Sequence, residues 1–573
     1  MDNITNNPAE HKAIERSAPE GSETSISEER KKQAITELIH KGVLVDEQLF
    51  ERIISVSDEE TLSKIILSLL PSSANSIISQ PELNFPGQQV QSSILDSIHP
   101  RGNQLGQNPI SGVSSGSSSE LLATALHPGD RFLNSGGVLD EKQFLTGTEP
   151  GNVNVIFTYV DFFKKREVQD FVAFFNSRYK SLKSMLANRQ ELQELTSINR
   201  LNGKEAREKV AVIGMIMDKT ETVNKNIMLT IEDQSGSIKV IVNKTRKDSF
   251  QAAKDAAFDE VIGIVGTCGK GIMFADAIVT PDIPVYSGLK KCPDEVYVAF
   301  LSDMHVGSKK FLPEEFGKFL KWVRGESGSE AQRNIASKVK YIVIAGDIID
   351  GIGIYPGQEA ELEIKDIYAQ YEECARLIRM IPERIKIIIC PGNHDSMRIS
   401  EPQPKLSEKF AKPFWEMNNV TLISNPGIIS LHAGNGFPGF DVLVYHGYSF
   451  DYYIANIDSI RENGGYDRAD LVMKFLLKRR HLAPAHASTL YVPDSHKDSL
   501  VIEKVPDFFI SGHLHKAAAA NYRSVTMICG SCWQSRTAFQ EKVGHHPEPC
   551  RVPVVNLKTR DIKMLRFDKQ EES

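Results

Sequence analysis

The second half of the chain alternates apolar runs with helical patterns, and several of the runs end in a polar motif. Continuous apolar runs of about four to eight residues are typical of strands buried on both faces. Helical spacing between them, as at residues 314–324 and 364–380, predicts an α/β architecture with the polar motifs on loops at the strand ends. The runs that end in polar motifs occupy residues 296–301, 341–345, 385–390, 442–445 and 508–510.

Residues 205–290 have a different pattern, with shorter strands. Five short strand patterns and a helical stretch at residues 250–258 resemble an OB-fold, a partly open β-barrel that often binds single nucleic-acid strands. The strand patterns carry no conspicuous exposed aromatic residues, which are the usual stacking groups for bases. This slightly favours the alternative, a structural barrel that docks the next domain or a partner subunit.

Residues 1–70 predict a small N-terminal helical domain. Apolar residues recur at helical spacing from residue 31 onward, and a capping box at residues 57–60 precedes a helix at 61–70. A domain of this size is too small to do chemistry alone, so we expect it to bind a partner.

Residues 71–150 are rich in Pro, Ser, Gly, Gln and Asn, a composition that predicts a flexible linker. Residues 151–204 then form a predicted connector, with a strand at 153–159 and a helix at 168–195. The α/β pattern fills the last predicted domain, residues 295–573.

The composition excludes several classes of protein. A chain of 573 residues with 41% hydrophobic and 25% charged residues is typical of a soluble protein with two or more domains. No apolar run is long enough to span a bilayer, and the N-terminus has neither the basic nor the apolar region of a signal peptide. We therefore expect a cytoplasmic protein without a membrane partner.

The cysteines and the net charge bear on disulfides, zinc binding and nucleic-acid binding. Seven scattered cysteines argue against a disulfide framework. Cys529 and Cys532 have the spacing of half a zinc site, but no second pair follows, which favours small residues in or beside a strand. The net charge of −7 is not typical of a protein that binds nucleic acid by bulk charge, but it allows a local basic groove. Candidates for that groove are Lys309, Lys310, Arg398 and residues 478–481.

The polar motifs supply the chemistry. Two divalent ions about 3.5–4 Å apart can activate water and neutralise the charge that develops on a phosphate ester. Asp347 is a short carboxylate of the kind that can bridge such a pair. The spacing of the pairs 303/305 and 513/515 predicts extended segments that place both side chains on one side, and neighbouring glycines allow tight turns. The oxygen and nitrogen donors are Asp303, His305, Asp347, Asn393, His394, His446, His513 and His515.

The order of these residues and their flanking glycines, Gly346, Gly392, Gly447 and Gly512, resemble those of calcineurin-like metallophosphoesterases. The resemblance implies a β-sandwich flanked by helices, preceded here by the OB-fold barrel and the N-terminal helical domain. It implies one metal site formed by Asp303, His305, His515 and the bridging Asp347, and a second formed by Asn393, His446, His513 and Asp347.

The same resemblance places His394 near the scissile phosphate, where it protonates the leaving oxygen, with Asp395 orienting it. A donor set of oxygen and imidazole without thiolate makes Mn²⁺ the leading candidate for both ions, with Zn²⁺, Fe and Mg²⁺ as alternatives.

Longer matches narrow the family. Over residues 205–573 the chain resembles the small subunits of archaeal family D DNA polymerases, also called DNA polymerase II small subunits. The matching segments are DMHVGS (303–308), GDIIDGIGIYPG (346–357), PGNHDSMR (391–398), PQP (402–404), YHGYS (445–449), RRHLAP (479–484) and SGHLH (511–515).

This resemblance implies a 3′→5′ exodeoxyribonuclease that proofreads single-stranded or mismatched 3′ ends for a larger polymerase subunit, with polymerase activity only in the heterodimer. DNA is the second implied partner, a sliding clamp is a further candidate, and the location would be cytoplasmic and nucleoid-associated. The predicted DNA-contacting residues are Lys309, Arg398, Arg479 and Arg480.

Two alternatives remain open at this point. The chain could be a scaffold that mainly holds the large subunit, although every ligand position is filled. It could also be another metallophosphoesterase, such as a phosphoprotein phosphatase or a nucleotide hydrolase, although the OB-fold pattern and the loop at residues 353–357 argue against this.

Overall fold

The computed structural model describes residues 30, 31, 34, 53–56, 58–69, 152–161, 164–201, 208–285, 288–395, 398–494, 496–542 and 544–568. The chain divides into two compact units, Met1–Gly129 and Asp130–Ser573, each of which is considered by itself. The predicted linker at residues 71–150 and most of the predicted N-terminal helical domain lie outside the described residues.

The first unit contains the helix α1 (Glu59–Leu69). The carboxylate of Asp58 accepts a hydrogen bond from the backbone N–H of Thr61 at 2.7 Å, so Asp58 acts as the N-cap. The predicted capping residue, Ser57, lies outside the described residues. Leu62 and Ile66 are buried at helical spacing, as the sequence pattern predicts.

The strands of the second unit form two sheets and one barrel. In chain order they are β1 (Asn152–Thr158), β2 (Glu208–Glu221), β3 (Ile227–Asp233), β4 (Gly236–Val242), β5 (Val261–Gly269), β6 (Ile272–Val279), β7 (Tyr297–Leu301), β8 (Val339–Ala345), β9 (Lys386–Cys390), β10 (Val420–Leu422), β11 (Gly427–Ala433), β12 (Phe440–Val444), β13 (Phe508–Ser511), β14 (Ala518–Tyr522), β15 (Val525–Cys529), β16 (Arg551–Asn556) and β17 (Ile562–Arg566).

Helices lie between these strands. They are α2 (Val168–Ala187), α3 (Ile198–Leu201), α4 (Lys247–Lys254), α5 (Pro313–Val323), α6 (Glu330–Lys338), α7 (Ile367–Ile378), α8 (Glu408–Trp415), α9 (Phe450–Asn456), α10 (Asp458–Arg461), α11 (Ala469–Arg479) and α12 (Ala538–Lys542), with 3₁₀ helices at Gln358–Glu361, Gly465–Asp467 and His486–Ser488. None of the helices in the described ranges combines the length and the apolar character that crossing a membrane requires.

The two six-stranded sheets form a sandwich. One sheet has the order β1-β11-β12-β13-β15-β14 and the other β10-β9-β8-β7-β16-β17. Phe300, Tyr341 and Ile510 belong to the buried cluster that fills the space between the sheets. Helices α5 to α8 cover the outer face of the second sheet, and α9 to α11 cover that of the first. The predicted α/β sandwich flanked by helices is therefore confirmed.

The predicted barrel is also present. It is closed in the order β2-β3-β4-β6-β5, with β4 and β6 parallel and α4 between β4 and β5, which is consistent with an OB-fold. Helix α4 ends earlier than predicted because Phe258 already belongs to the turn into β5, where Asp259 has a φ of 60°. Phe274 on β6 is 49% exposed, so the expectation that these strands lack exposed aromatic residues was wrong.

The strand of the predicted connector is part of the sandwich. Strand β1 pairs antiparallel with β11 and forms an edge of the first sheet. Helix α2 is shorter than the predicted helix at 168–195, because Leu192 turns back to pack against the barrel. Phe174 of α2 packs against the sandwich helices, whereas Tyr179 packs against the barrel. Helix α2 therefore joins the two domains.

Arg479 and Arg480 also join the barrel to the sandwich, which contradicts their predicted role in contacting DNA. Both are buried. Arg479 Nε lies 2.7 Å from a carboxylate oxygen of Glu260, and its Nη2 donates to the carbonyl of Asp255 at 2.8 Å. Arg480 Nε donates to the carbonyl of Ile502 at 2.7 Å. These guanidinium groups satisfy interior acceptors and do not face solvent.

Candidate metal centre

The predicted ligands lie at the ends of strands from both sheets. Strands β7, β8 and β9 are parallel neighbours in one sheet, and β12 and β13 are parallel neighbours in the other. Parallel neighbours end at the same edge of a sheet, and both of these edges lie at one end of the sandwich. The loops after these strands carry Asp303 and His305, Asp347, Asn393 and His394, His446, and His513 and His515.

The backbone at these loops differs from the predicted extended segments. The residues concerned have positive φ angles, which cost a non-glycine residue about 1–2 kcal/mol each. Such strain is concentrated at functional sites. Met304 and Leu514, which lie between the paired ligands, instead bury their side chains in the hydrophobic clusters beneath the flanking helices. The angles are 51° at Asp303, 51° at His305, 51° at Asp347, 69° at His513 and 55° at His515.

Two glycines allow the carboxylates to approach the backbone. A Cβ atom at Gly392 would lie 2.2 Å from Oδ1 of Asp347, and one at Gly512 would lie 2.5 Å from Oδ2 of Asp303. Any side chain at either position would displace a carboxylate. Glycine at these positions therefore follows from the approach of backbone to ligand.

The donor atoms converge in three overlapping groups. Within each group the ligand atoms lie within 4.8 Å of one another. The carboxylate of Asp347 is 3.2 Å from Nε2 of His446, and Oδ1 of Asn393 is 3.1 Å from the same nitrogen. The groups are Asp303 with His305 and His515, His305 with Asp347 and His394, and Asp347 with His446 and His513. The structure thus brings together the predicted ligands of both metal sites; their ligation of metal stays a prediction.

A second layer of groups holds the imidazole rings. Nδ1 of His305 is 3.1 Å from the carboxylate of Asp350, and Nδ1 of His446 is 2.7 Å from the carbonyl of Ala345. Nδ1 of His515 is 2.9 Å from the amide of Gln540.

The fourth ring is held through its other nitrogen. Nε2 of His513 is 2.8 Å from the carboxylate of Asp451. Each of the four rings therefore has one nitrogen occupied by a protein group and the other available to the cluster, an arrangement that fits bound divalent ions.

Sequence reasoning missed these second-layer residues. Asp350 lies only three residues after Asp347 in the matched motif, so the motif could have identified it as a candidate site residue. Asp451 and Gln540 are 62 and 25 residues from the histidines they contact and carry no local signal.

The electrostatics favour ionised carboxylates. Burial opposes the charge on Asp347, but His446 and His394 outweigh it and hold the pKa of this carboxyl well below its ordinary value. At Asp303, burial is likewise outweighed by His515, which lowers the pKa. Both groups are therefore ionised at neutral pH, as metal ligands must be.

Asp395 does not orient His394, contrary to the prediction. Its carboxylate accepts hydrogen bonds from the backbone N–H groups of Asp347 at 3.0 Å and Gly392 at 2.7 Å. Nδ1 of His394 instead lies 2.8 Å from the carbonyl of Asp350. Burial, reinforced by the charge of Asp347, raises the pKa of Asp395 to about 7. Asp395 thus positions the backbone that carries Asp347.

We expect Asp350→Asn to weaken metal binding about 10–100-fold, the usual effect of removing a carboxylate partner from a metal-ligating histidine. The amide keeps the shape of the side chain but removes the charge beside His305. Isothermal titration with Mn²⁺ measures the change. Asp294→Asn is a matched control, because Asp294 bonds His432 at 3.0 Å outside the cluster. Equal affinities in Asp350→Asn and the parent protein would contradict the assignment.

The remaining predicted site residues lie around the cluster. Lys309 is exposed, and its ammonium donates to the carbonyl of Ala360 at 2.9 Å. Arg398 forms an ion pair with Asp161 and donates to the carbonyl of Pro402 at 2.8 Å.

All seven cysteines are buried and free. Cys529 is the last residue of β15 and Cys532 follows three residues later, as predicted for small residues in or beside a strand.

Comparison with known proteins agrees with this site. The family model of the calcineurin-like phosphoesterases matches residues 296–517, and such a domain implies use of divalent metal ions. Among solved structures, the asparaginyl-tRNA synthetase of Pyrococcus horikoshii aligns with 15% of this chain and 22% of its own chain. The identity is 16% and the TM-score is 0.14, a likeness too small to indicate a shared fold.

Full-length relatives are more informative. The chain is 41% identical over 401 residues to the DNA polymerase II small subunit of Methanothermobacter thermautotrophicus, covering 70% of this chain and 80% of that protein. It is 40% identical to the DNA polymerase II small subunit of Archaeoglobus fulgidus, in an alignment that covers 70% of this chain and 77% of that protein. The chain is 38% identical to the DNA polymerase II small subunit of Methanocaldococcus jannaschii, in an alignment that covers 68% of this chain and 64% of that protein. The chain therefore belongs to the DNA polymerase II small subunits, the family that its sequence motifs predict.

Proposed function

We propose that this chain is the 3′→5′ exodeoxyribonuclease subunit of a heteromeric replicative DNA polymerase, and that it removes nucleotides from single-stranded or mismatched 3′ ends. The observation that carries the proposal is the complete cluster of donors around Asp347 with His394 beside it. A subunit that served only as a scaffold would have no need to keep this cluster complete or to hold its residues at strained φ angles.

The proposed cofactors are two divalent ions, with Mn²⁺ as the first choice. Asp303, His305 and His515 would hold one ion, and Asn393, His446 and His513 the other, with Asp347 between them. When bound, such ions supply charge neutralisation for a phosphodiester and activation of the attacking water.

His394 is the proposed proton donor to the leaving 3′ oxygen. Its Nδ1–H donates to the carbonyl of Asp350 at 2.8 Å, so the proton for the leaving oxygen would come from Nε2 of the protonated ring. The ring of His394 also meets that of His305 edge to face, with centroids 4.6 Å apart. These contacts fix the direction of the imidazole before a strand binds, which is the main requirement for general acid catalysis.

The proposed partners follow from the family. Relatives are named as small subunits, so we expect a large catalytic polymerase subunit, with DNA synthesis only in the complex, and a sliding clamp as a further candidate. Lys309 is exposed and remains a proposed DNA contact. Arg398 keeps that role only in part, because its guanidinium already serves Asp161 and Pro402.

The test is a product analysis with a strand labelled at its 5′ end. With Mn²⁺ we expect stepwise shortening from the 3′ end and release of mononucleotides, faster at a mismatched terminus than at a paired one, and no reaction in EDTA. A phosphoserine peptide serves as the competing substrate. Turnover of the peptide without shortening of DNA would favour another phosphoesterase. A protein with no bound metal and no hydrolysis after addition of Mn²⁺ would favour the scaffold.

A further inference from the structure

An aromatic pair lies at the rim of the metal centre and has no role in the chemistry described so far. The rings of Tyr355 and Phe539 are stacked, with centroids 5.6 Å apart and planes inclined by 22°. Phe539 is nevertheless 44% exposed, and nearby Ile352 is 45% exposed. An exposed ring that a second ring braces offers a fixed apolar face, and its place beside the predicted metal ligands gives that face a candidate ligand.

Tyr355 is tied to the metal centre through its own loop. The side chain of Gln358 accepts from the N–H of Ile354 at 2.9 Å and donates to the carboxylate of Asp350 at 3.1 Å. The other carboxylate oxygen of Asp350 contacts His305, and its carbonyl contacts His394. The loop that carries this ring is therefore anchored to the same residue that contacts two of the site histidines.

Phe539 is tied to the same predicted metal site through a different chain segment. The next residue, Gln540, contacts Nδ1 of His515 at 2.9 Å. Gln540 also accepts from the N–H of Thr537 at 3.1 Å, and Thr537 accepts from the N–H of Gln540 at 3.2 Å. Two separate chain segments thus meet in one ring pair, and each is anchored to a different predicted metal ligand.

Basic residues lie near Phe539, and one carboxylate contacts its partner ring: the hydroxyl of Tyr355 donates to Glu361 at 3.0 Å. Lys310 is exposed, and its carbonyl accepts from the N–H of Ser535, the residue before Arg536. Within the described ranges no carboxylate pairs with Lys310 or Arg536. An open ring beside unpaired cations suits a ligand that combines a flat apolar face with negative charge, and a nucleotide in a single strand has both. A phosphoserine side chain has the charge without the flat face.

We infer that Phe539, braced by Tyr355, is a stacking platform for an unpaired nucleobase of the strand whose phosphodiester reaches the metal centre. This inference rests on the proposed nuclease function and deepens it. A base in an intact duplex is already stacked and paired, so it reaches the platform only after unstacking, which is easiest at a mismatched end. The platform would therefore help the site to select frayed 3′ ends.

The first test measures binding without hydrolysis. The probe is an oligonucleotide with 2-aminopurine, whose fluorescence falls on stacking, at its 3′ end, titrated in EDTA. We expect quenching with the full-length protein and with Phe539→Trp. Phe539→Ala should bind about tenfold more weakly, the weight of one base stacked on an aromatic ring, with the quenching lost. Tyr368→Ala is the control, because Tyr368 is also 44% exposed and paired with a ring, that of Phe410 at 5.5 Å. Unchanged quenching in Phe539→Ala would overturn the inference.

The second test compares cleavage of two strands, one normal and one whose 3′-terminal nucleotides lack bases. We expect Phe539→Ala to raise KM about tenfold on the normal strand, and the defect to shrink below twofold on the abasic one. An equal loss on both strands would mean that Phe539 only supports the fold of the site, and would overturn the inference. If the parent protein cleaves neither strand while quenching still depends on Phe539, the proposed nuclease function fails and the platform stands.

Discussion

We expect the Asp347→Asn variant to lose the proposed phosphodiester hydrolysis by a factor of about a thousand or more, because several kcal/mol of charge stabilisation would depend on the proposed metal pair. Asp347 belongs to two of the three donor groups, so it is the residue that links the predicted metal sites. Its carboxylate also accepts the backbone N–H of His394 at 2.8 Å. An amide can still accept that bond, so the change removes the charge and spares most of the packing.

Metal analysis and turnover of a labelled single strand, measured on the same preparation, check this result. The control is Asp366→Asn, since Asp366 caps α7 by accepting the N–H of Ala369 at 2.8 Å and asparagine caps a helix about as well. The control should keep full metal content and full activity. Retention of both by Asp347→Asn would show that the bridging role belongs to another residue.

The sequence was sufficient to predict that these donors converge, because each predicted ligand lies beside a strong local signal. An apolar run followed at once by Gly346 and Asp347, or by Gly512 and His513, predicts both a buried strand and the loop at its end. Parallel strands then bring such loops to one edge whatever the details of the packing. The ligand set could therefore be assembled without knowing the order of strands in either sheet.

The local geometry of the ligands was not predictable in the same way. Alternate spacing suggested extended segments at Asp303 and His305, but both residues have φ angles of 51°. Non-glycine residues disfavour this conformation, so no propensity argument would place them there. Only the surrounding contacts can hold such residues, for example the N–H of Asp303 bonded to the carbonyl of Gly346 at 3.0 Å.

Residues that act through distant partners were the main source of error. Arg479 and Arg480 follow a lysine in a basic run, which favoured a DNA-contacting surface. The partner of Arg479 is Glu260, 219 residues earlier in the barrel, and no local pattern links the two. Strand β1 similarly pairs with β11, more than 250 residues away, so its place in the sandwich could not be read from the segment itself.

The same kind of long-range contact holds α2 to the sandwich domain, and breaking it should be costly. Arg178 of α2 and Asp498 are both fully buried, with Nε 2.6 Å from the carboxylate. Nη1 of Arg178 donates to the carbonyl of Pro484 at 2.7 Å, and its guanidinium lies 4.8 Å from the ring centre of Phe175. Asp498 also contacts Nε2 of His481 at 2.8 Å. Burial opposes the charge on Asp498, but Arg178 outweighs it and lowers the pKa of this carboxyl.

We expect Arg178→Met to destabilise the second unit by about 3–5 kcal/mol, because it leaves the Asp498 carboxylate buried without its cation. Calorimetry should show that the melting temperature of the sandwich falls by several degrees. Only the transition of the sandwich is compared, because a chain with several domains need not unfold in a single step. Lys225→Ala is the control, since its pair with Glu221 has side chains 74% and 48% exposed and should leave the transition unchanged. Adding Asp498→Leu to Arg178→Met removes the stranded charge and should recover much of the loss. If the double variant is as unstable as the single one, lost packing around α2 explains the effect and the buried charge does not.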